Sequence, residues 1–253
     1  MTDVKVWSQY IASLGDPLTT QLPMPQANPT PSTFHSIVDR VVAAATAAGH
    51  PATLLAVSKG KPTHEIRTLA NFGQAAFGEN YVQEALAKRR ELADLDITWH
   101  MIGPVQSNKC RAVSENFDWL QTLDRERLLE PLARFRPTPR LPLNVLIQVN
   151  IDDEASKSGC RVDEVIGLAE KIQALPALRL RGLMAVPAPD PRIRVAAFRS
   201  MRALFDKLRA DIAGIDTLSM GMSDDFEEAI AEGATMVRIG TALFGAREPH
   251  PQQ

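Results

Sequence analysis

Cysteine is almost missing. The 253-residue chain has two, Cys110 and Cys160, with no CxxC and no metal-ligand spacing around them. That excludes a disulfide framework and a cysteine-rich zinc site. It makes a reduced, cytoplasmic protein the simplest expectation, with both thiols acting as small buried hydrophobes. A positive charge excess is missing too, since the formal net charge is −2. General binders of nucleic acid or of membrane surfaces need a basic face, so neither partner is expected. No uninterrupted apolar run approaches the roughly 18 residues of a membrane span. The first residues show no basic flank followed by an apolar core, so no secretory signal is expected. HExxH, GxSxG and EF-hand spacings are lacking, which removes the metal and serine-hydrolase readings.

What is present is enough for a large core: 45% of residues are hydrophobic and 23% charged. Residues 1–33 hold Pro17, Pro23, Pro25, Pro29 and Pro31 among polar fillers. They read as an irregular or flexible extension, with Trp7, Tyr10, Ile11 and Leu14 suited to a short helical segment. From residue 34 the pattern turns regular. Phe34, Ile37, Val38, Val41, Val42 and Ala45 have helical spacing, and Gly49 stands where that helix should end.

Short apolar runs then alternate with amphipathic segments. Strands are predicted at 53–59, 75–79, 98–103, 119–123, 144–150, 180–186, 217–221 and 236–240. Helical patterns lie between them, as in Val162, Val165, Ile166, Ala169, Ile172 and in Phe198, Met201, Leu204, Phe205, Leu208. This is the period of an α/β protein with a single (β/α)8 TIM-type barrel over 34–248, leaving 249–253 as a tail. A doubly wound sheet would need a glycine-rich turn after its first strand, and SKGKP at 58–62 is not GxGxxG. The barrel places the C-terminal ends of the strands on one face. Lys59, Glu79, Asn80, His100, Asn150, Ser219 and Arg238 are the polar residues there.

Lys59 ends the apolar run LLAVSKGKP at 54–62. A lysine in a partly dry barrel mouth can supply the neutral amine that a Schiff base needs; the bland alternative is a side chain that snorkels to solvent. TLSMGMSDD at 217–225 and MVRIGTALFG at 236–245 both look like phosphate-binding turns. Gly240 would let backbone approach closely, Thr241 adds a hydroxyl, and barrel phosphate sites fall after strands seven and eight. Asp224 with Glu227 also reads as a capping box, as does Asn80 with Gln83, and Ser107 as a cap. Arg238 lies within an apolar strand and needs a partner in the barrel mouth. Beside a pyridine nitrogen it would disfavour protonation and weaken the ring as an electron sink. His100 could stack on or hydrogen-bond a ligand, but a lone histidine in an apolar strand reads first as a satisfied core residue. Lys109 sits in a first helical turn, where a cation is mildly misplaced and could meet an anion.

A strand-end lysine, a phosphate cradle and an inward arginine together suggest pyridoxal 5′-phosphate (PLP). The blocks FGENYVQEA 77–85, WHMIGPVQSNK 99–109, NVLIQVNIDDEASKSGC 144–160, RGLMAVPAP 181–189 and 218–247 complete a resemblance to the pyridoxal phosphate homeostasis protein family, whose barrel is shared with the N-terminal domain of alanine racemase. The resemblance implies PLP as cofactor, held as an internal aldimine on Lys59. It implies a phosphate site at Ser219, Met220 and the turn that follows, with Gly240 and Thr241. Arg238 would face the pyridine nitrogen and Asn80 would lie near the ring. It further implies storage, buffering or delivery of the cofactor without a dedicated reaction, and transient contact with PLP-dependent apoenzymes. A monomer is the default expectation. Gly60 and Val105 depart from the family's usual bulkier residue and leucine, and looser packing is expected there.

Two alternatives stay open. A PLP-dependent amino-acid racemase needs proton transfer on both faces of the α-carbon. The tyrosines are Tyr10 and Tyr81, so Tyr81 is the residue on which that reading depends. A Schiff-base aldolase without cofactor would also use the lysine and the phosphate turns.

Overall fold

The computed structural model describes residues 29–154 and 157–245. Most of the extension expected at 1–33, and the tail expected at 249–253, lie outside the described residues. Regular structure begins with α1 (Pro31–Ala48). Thr30 caps it, its hydroxyl accepting from the Thr33 amide at 3.2 Å. Pro31 takes a first-turn position, where a missing N–H costs nothing. The helix therefore starts earlier than its apolar stripe at Phe34. Phe34, Ile37 and Val41 bury one face, whereas Val42 is exposed. Gly49 ends the helix in the left-handed conformation, φ 73°.

Eight strands follow: β1 (Thr53–Val57), β2 (Ala76–Glu79), β3 (Thr98–Met101), β4 (Trp119–Leu123), β5 (Leu143–Gln148), β6 (Leu178–Met184), β7 (Thr217–Ser219) and β8 (Met236–Ile239). They close into a parallel barrel in sequence order, β8 returning to β1 through Thr53↔Met236 and Leu55↔Arg238. A helix follows each strand: α2 (Thr63–Asn71), α3 (Val82–Glu91), α4 (Cys110–Asn116), α5 (Leu129–Arg134), α6 (Val165–Gln173), α7 (Pro191–Asp211), α8 (Phe226–Ala231) and α9 (Thr241–Phe244). The expected (β/α)8 barrel is what forms, with each strand inside or within two residues of its predicted run. α1 packs on α8 across the β8–β1 seam, where Arg40 pairs with Glu227 at 2.9 Å and lies over the Phe226 ring.

Strand residues alternate between two faces, and in a barrel one face is the interior. Leu55, Val57 and Lys59 fall on the inner face of β1 and its extension. Gly78 and Asn80, His100 and Ile102, and Met236, Arg238 and Gly240 do the same on their strands. The packing agrees: a Cβ on Gly78 would sit 3.0 Å from Ile102 and 3.2 Å from Leu55. Ser58, Glu79 and Met220 have the opposite parity and face the helix layer. Both cysteines are free and buried, as expected, and burial pushes the Cys160 thiol up to about 12.

His100 is the core residue that its apolar strand predicts. It is buried, stacks on Trp119 with ring centroids 5.1 Å apart, and meets Gln121 at 3.0 Å through Nδ1. Burial pushes its imidazole down to about 3. The unfolded chain takes up that proton near pH 6.5, while the fold holds the ring neutral until pH falls much further. The stability from neutral His100 is therefore complete above about pH 6.5 and is lost progressively as pH falls towards about 3. Between about pH 7.5 and about pH 5.5, the wild type should lose roughly 1 kcal/mol more stability than His100→Asn. Urea denaturation of both proteins at the two pH values measures this. Equal losses would mean that the imidazole is hydrated in the fold.

Candidate functional site

A cavity of about 420 Å³ opens at the C-terminal ends of the strands. Its wall is made by Val57, Lys59, Lys61, Asn80, Ile102, Val186, Met222, Ser223, Asp224, Arg238, Gly240, Thr241 and Gly245. Five residues singled out in the sequence, Lys59, Asn80, Arg238, Gly240 and Thr241, thus meet in one pocket. They come from the ends of β1, β2 and β8. Lys59, Lys61 and Arg238 make the wall cationic, against Asp224 as its carboxylate.

Lys59 is half-buried, and its backbone is clamped from both sides. On one side Ser58 donates its hydroxyl to Glu79 Oε1 at 2.6 Å, and its carbonyl accepts from Lys88 Nζ at 2.7 Å. On the other side the Gly60 amide donates to Glu84 Oε1 at 2.6 Å. Lys88 joins the two carboxylates, reaching Glu79 at 2.7 Å and Glu84 at 2.6 Å. Glu79 and Lys88 are both buried, and burial pushes the Glu79 carboxyl up against the opposing pull of Lys88. Gly60 adopts φ 69°, so glycine suits this turn, and Val105 is buried.

Arg238 is buried at the pocket floor. Its Nη1 donates to Ser219 Oγ at 2.7 Å and its Nη2 to the Ala185 carbonyl at 2.9 Å. Burial lowers the guanidinium to about 10, so it stays charged at neutral pH. Asn80 brings Oδ1, a buried oxygen with no hydrogen-bond partner among the described residues. At the β8 end, a Cβ on Gly240 would lie 3.3 Å from the Val57 carbonyl oxygen, so glycine keeps this edge of the pocket open. Ser223 ties the turn after β7 to α9 by accepting from the Ala242 amide at 3.4 Å. Lys61 donates to the Phe244 carbonyl at 2.8 Å and lies 3.6 Å from Glu65.

Ser219 and Met220 do not reach the wall. Ser219 is buried beneath it, behind Arg238, and Met220 points into the helix layer. Glu79, grouped by sequence with the strand-end residues, also faces the helix layer, because its parity is opposite to that of Asn80. Asn150 bonds within its own loop, to Glu154, and Lys109 ends a 3-10 turn at Ser107–Lys109.

The expected caps do not form. Tyr81, not Asn80, precedes α3, and no side chain caps it. Asp225 precedes α8 and accepts instead from the Met222 amide at 2.6 Å, while Glu227 is taken by Arg40. Ser107 caps nothing, because Gln106 holds that position. The apolar wall residues Val57, Ile102 and Val186, and Gln121 beneath the floor, carried no signal beyond their strand parity, and Met222 none beyond its place in the turn after β7.

Comparison with known proteins agrees with this geometry. The family described as "Alanine racemase, N-terminal domain" matches residues 35–248. A protein of Pseudomonas aeruginosa named "Pyridoxal phosphate homeostasis protein" is 54% identical over 217 residues, covering 84% of this chain and 93% of that one. The chain belongs to the pyridoxal phosphate homeostasis protein family. Among solved structures, PipY of Synechococcus elongatus PCC7942 with PLP bound aligns with a TM-score of 0.75 at 33% identity, covering 85% of this chain and 99% of PipY. Alanine racemase of Corynebacterium glutamicum shares the barrel at a TM-score of 0.58 and 22% identity, and the match spans 63% of that enzyme.

The clamp around Lys59 rests on a buried pair, and removing one partner of such a pair costs about 3–5 kcal/mol. Lys88→Met should lose that much stability in urea titrations. Replacing both partners, Lys88→Met with Glu79→Met, should recover a large part of it. A single variant within about 1 kcal/mol of wild type would show the pair to be solvated.

Proposed function

We propose that this chain binds pyridoxal 5′-phosphate in the barrel-mouth pocket and serves to store, buffer and deliver it. The observation that carries the reading is that Lys59, Arg238 and the small-residue turn at Gly240–Thr241 open onto one cavity. They do so in a chain whose solved relative PipY has PLP bound.

The wall fits the cofactor. Lys59 supplies an amine for the aldehyde carbon. Thr241, Ser223 and the backbone around Gly240 offer donors to a phosphate, at the place where barrels hold one. Ser219 and Met220, expected at the phosphate, are engaged elsewhere: Ser219 Oγ accepts from Arg238, and the Met220 amide donates to the Met236 carbonyl at 3.2 Å. Asn80 Oδ1, buried without a partner among the described residues, would accept from a donor on the bound molecule. When bound, PLP supplies an aldehyde that condenses with an amine, releasing water, and a ring that withdraws electrons. Arg238 remains charged, so it resists protonation of a ring nitrogen placed beside it and weakens that withdrawal. A pocket that grips the cofactor while weakening its electron sink suits holding rather than turnover. Transfer to PLP-dependent apoenzymes is the step this role implies.

The racemase alternative asks for a second base, and Tyr81 was its candidate. Tyr81 is 66% exposed and is not part of the pocket wall. That supports the carrier reading. No helix among the described residues is long and apolar enough to cross a membrane.

Purified protein incubated with PLP and desalted should keep a visible absorbance band. Borohydride should then fix the cofactor to the peptide containing Lys59, and Lys59→Ala should lose the trapped adduct. No retained band, or an unchanged adduct in Lys59→Ala, would overturn the assignment. The first result would leave a phosphate-ligand barrel such as the cofactor-free aldolase.

A further inference from the structure

The barrel interior below the pocket is not wholly apolar. A continuous polar chain runs down from the pocket floor. Arg238 Nη1 donates to Ser219 Oγ at 2.7 Å, Ser219 Oγ to Gln121 Oε1 at 2.7 Å, and Gln121 Nε2 meets His100 Nδ1 at 3.0 Å. All four residues are buried. Leucine or valine in their places would fill the same layer without the cost of desolvating polar groups, so packing alone does not account for them.

The donors and acceptors admit one order. An arginine only donates, so Ser219 Oγ must accept from it. The serine proton then has to go to the amide oxygen of Gln121. That turns the Gln121 NH2 towards His100, whose Nδ1 must accept, so the imidazole is the Nε2–H tautomer. The Met236 sulfur, 3.2 Å from Gln121 Nε2, faces the same NH2 as a weak acceptor. Flipping the amide would leave the serine proton facing donors. A neutral histidine at the bottom therefore fixes every hydrogen bond above it. At the top, Ser219 and the Ala185 carbonyl hold both terminal nitrogens of Arg238 and set the plane of the guanidinium.

We infer that Gln121 and His100 are positioning residues for ligand selection. Through Ser219 they fix Arg238 as a rigid donor at the pocket floor, which selects a ligand ring carrying an in-plane lone pair over one carrying a C–H. This rests on the cofactor reading above, in which Arg238 faces the pyridine nitrogen. Selection by a fixed donor is sharper than selection by a mobile one, because a guanidinium free to swing can turn away from a C–H and lose little.

The test compares binding of PLP and of its deaza analogue, whose ring nitrogen is replaced by C–H, by absorbance titration of the full chain. Wild type should prefer PLP by about tenfold or more, as expected for a charge-assisted hydrogen bond. Gln121→Leu and Ser219→Ala should each cut that preference by about threefold or more while changing affinity for the deaza analogue little. Because both cut the same chain, the double variant should lose no more than either single one. Ser219→Ala removes one oxygen and keeps the core volume, so it reports even where Gln121→Leu folds poorly. A preference unchanged in both variants, or losses that add fully, overturns the inference. So does a wild type that retains PLP and the analogue equally. A wild type that retains neither ligand overturns the cofactor reading itself, and this inference with it.

Discussion

The site depends on a single constraint, the alternation of side chains along strands that have closed into a barrel. Each strand residue faces either the interior or the helix layer, and its neighbour takes the other side. Register is locked where β8 meets β1, with Leu55 opposite Arg238. From that pairing, Val57 and Gly240 come level one step above Leu55 and Arg238, and Lys59 emerges one step higher at the mouth. A slip of one residue would exchange Lys59 for Ser58 and Asn80 for Glu79. The pocket would then present a hydroxyl and a carboxylate, while two amine- or amide-bearing chains would be forced among the helices.

The residues that face outward are not spare. Ser58 and Glu79 are the outward neighbours of Val57, Lys59 and Asn80, and α3 brings Lys88 and Glu84 to them. The same alternation that aims Lys59 inward thus supplies the handles that hold its backbone. A buried ion pair adds little net stability over an apolar pair, so its place here is better understood as fixing a turn than as strengthening a core. Gly60 belongs to that turn. Its positive φ lets the chain leave β1 sharply while its amide turns to Glu84.

The fold was legible because barrel strands buried on both faces read as apolar runs of the right length, separated by helical periods. The strand-end rule then exposed Lys59, Asn80, Arg238 and Gly240, each a polar or glycine residue closing such a run. What stayed hidden depends on partners far away in sequence. Glu227 looks like half of a capping box until Arg40, 187 residues before it, claims its carboxylate. Glu79 and Asn80 are adjacent and look alike as strand-end residues, yet the closed sheet sends them to opposite sides. Gln121 carries no local mark at all; its role comes from His100 on β3 and Ser219 on β7, which only closure brings together.

Two layers of polar chemistry therefore meet at the pocket from different sides. The outer layer holds the Lys59 backbone and so sets where its side chain enters the pocket wall. The inner layer holds a guanidinium by both of its terminal nitrogens. Lys61, which shares the wall, is drawn to the Phe244 carbonyl and Glu65, and so joins the turn after β1 to the end of α9. The positive charge of the pocket is divided among Lys59 at the mouth, Arg238 at the floor and Lys61 as a structural tie. An anionic aromatic aldehyde held as proposed would meet Lys59 and Arg238 at different atoms. That division favours one orientation of the ring, and with the floor guanidinium charged it favours the neutral form of a ring nitrogen. Grip and electronic restraint then come from the same residues, which is the combination a carrier of a reactive cofactor requires.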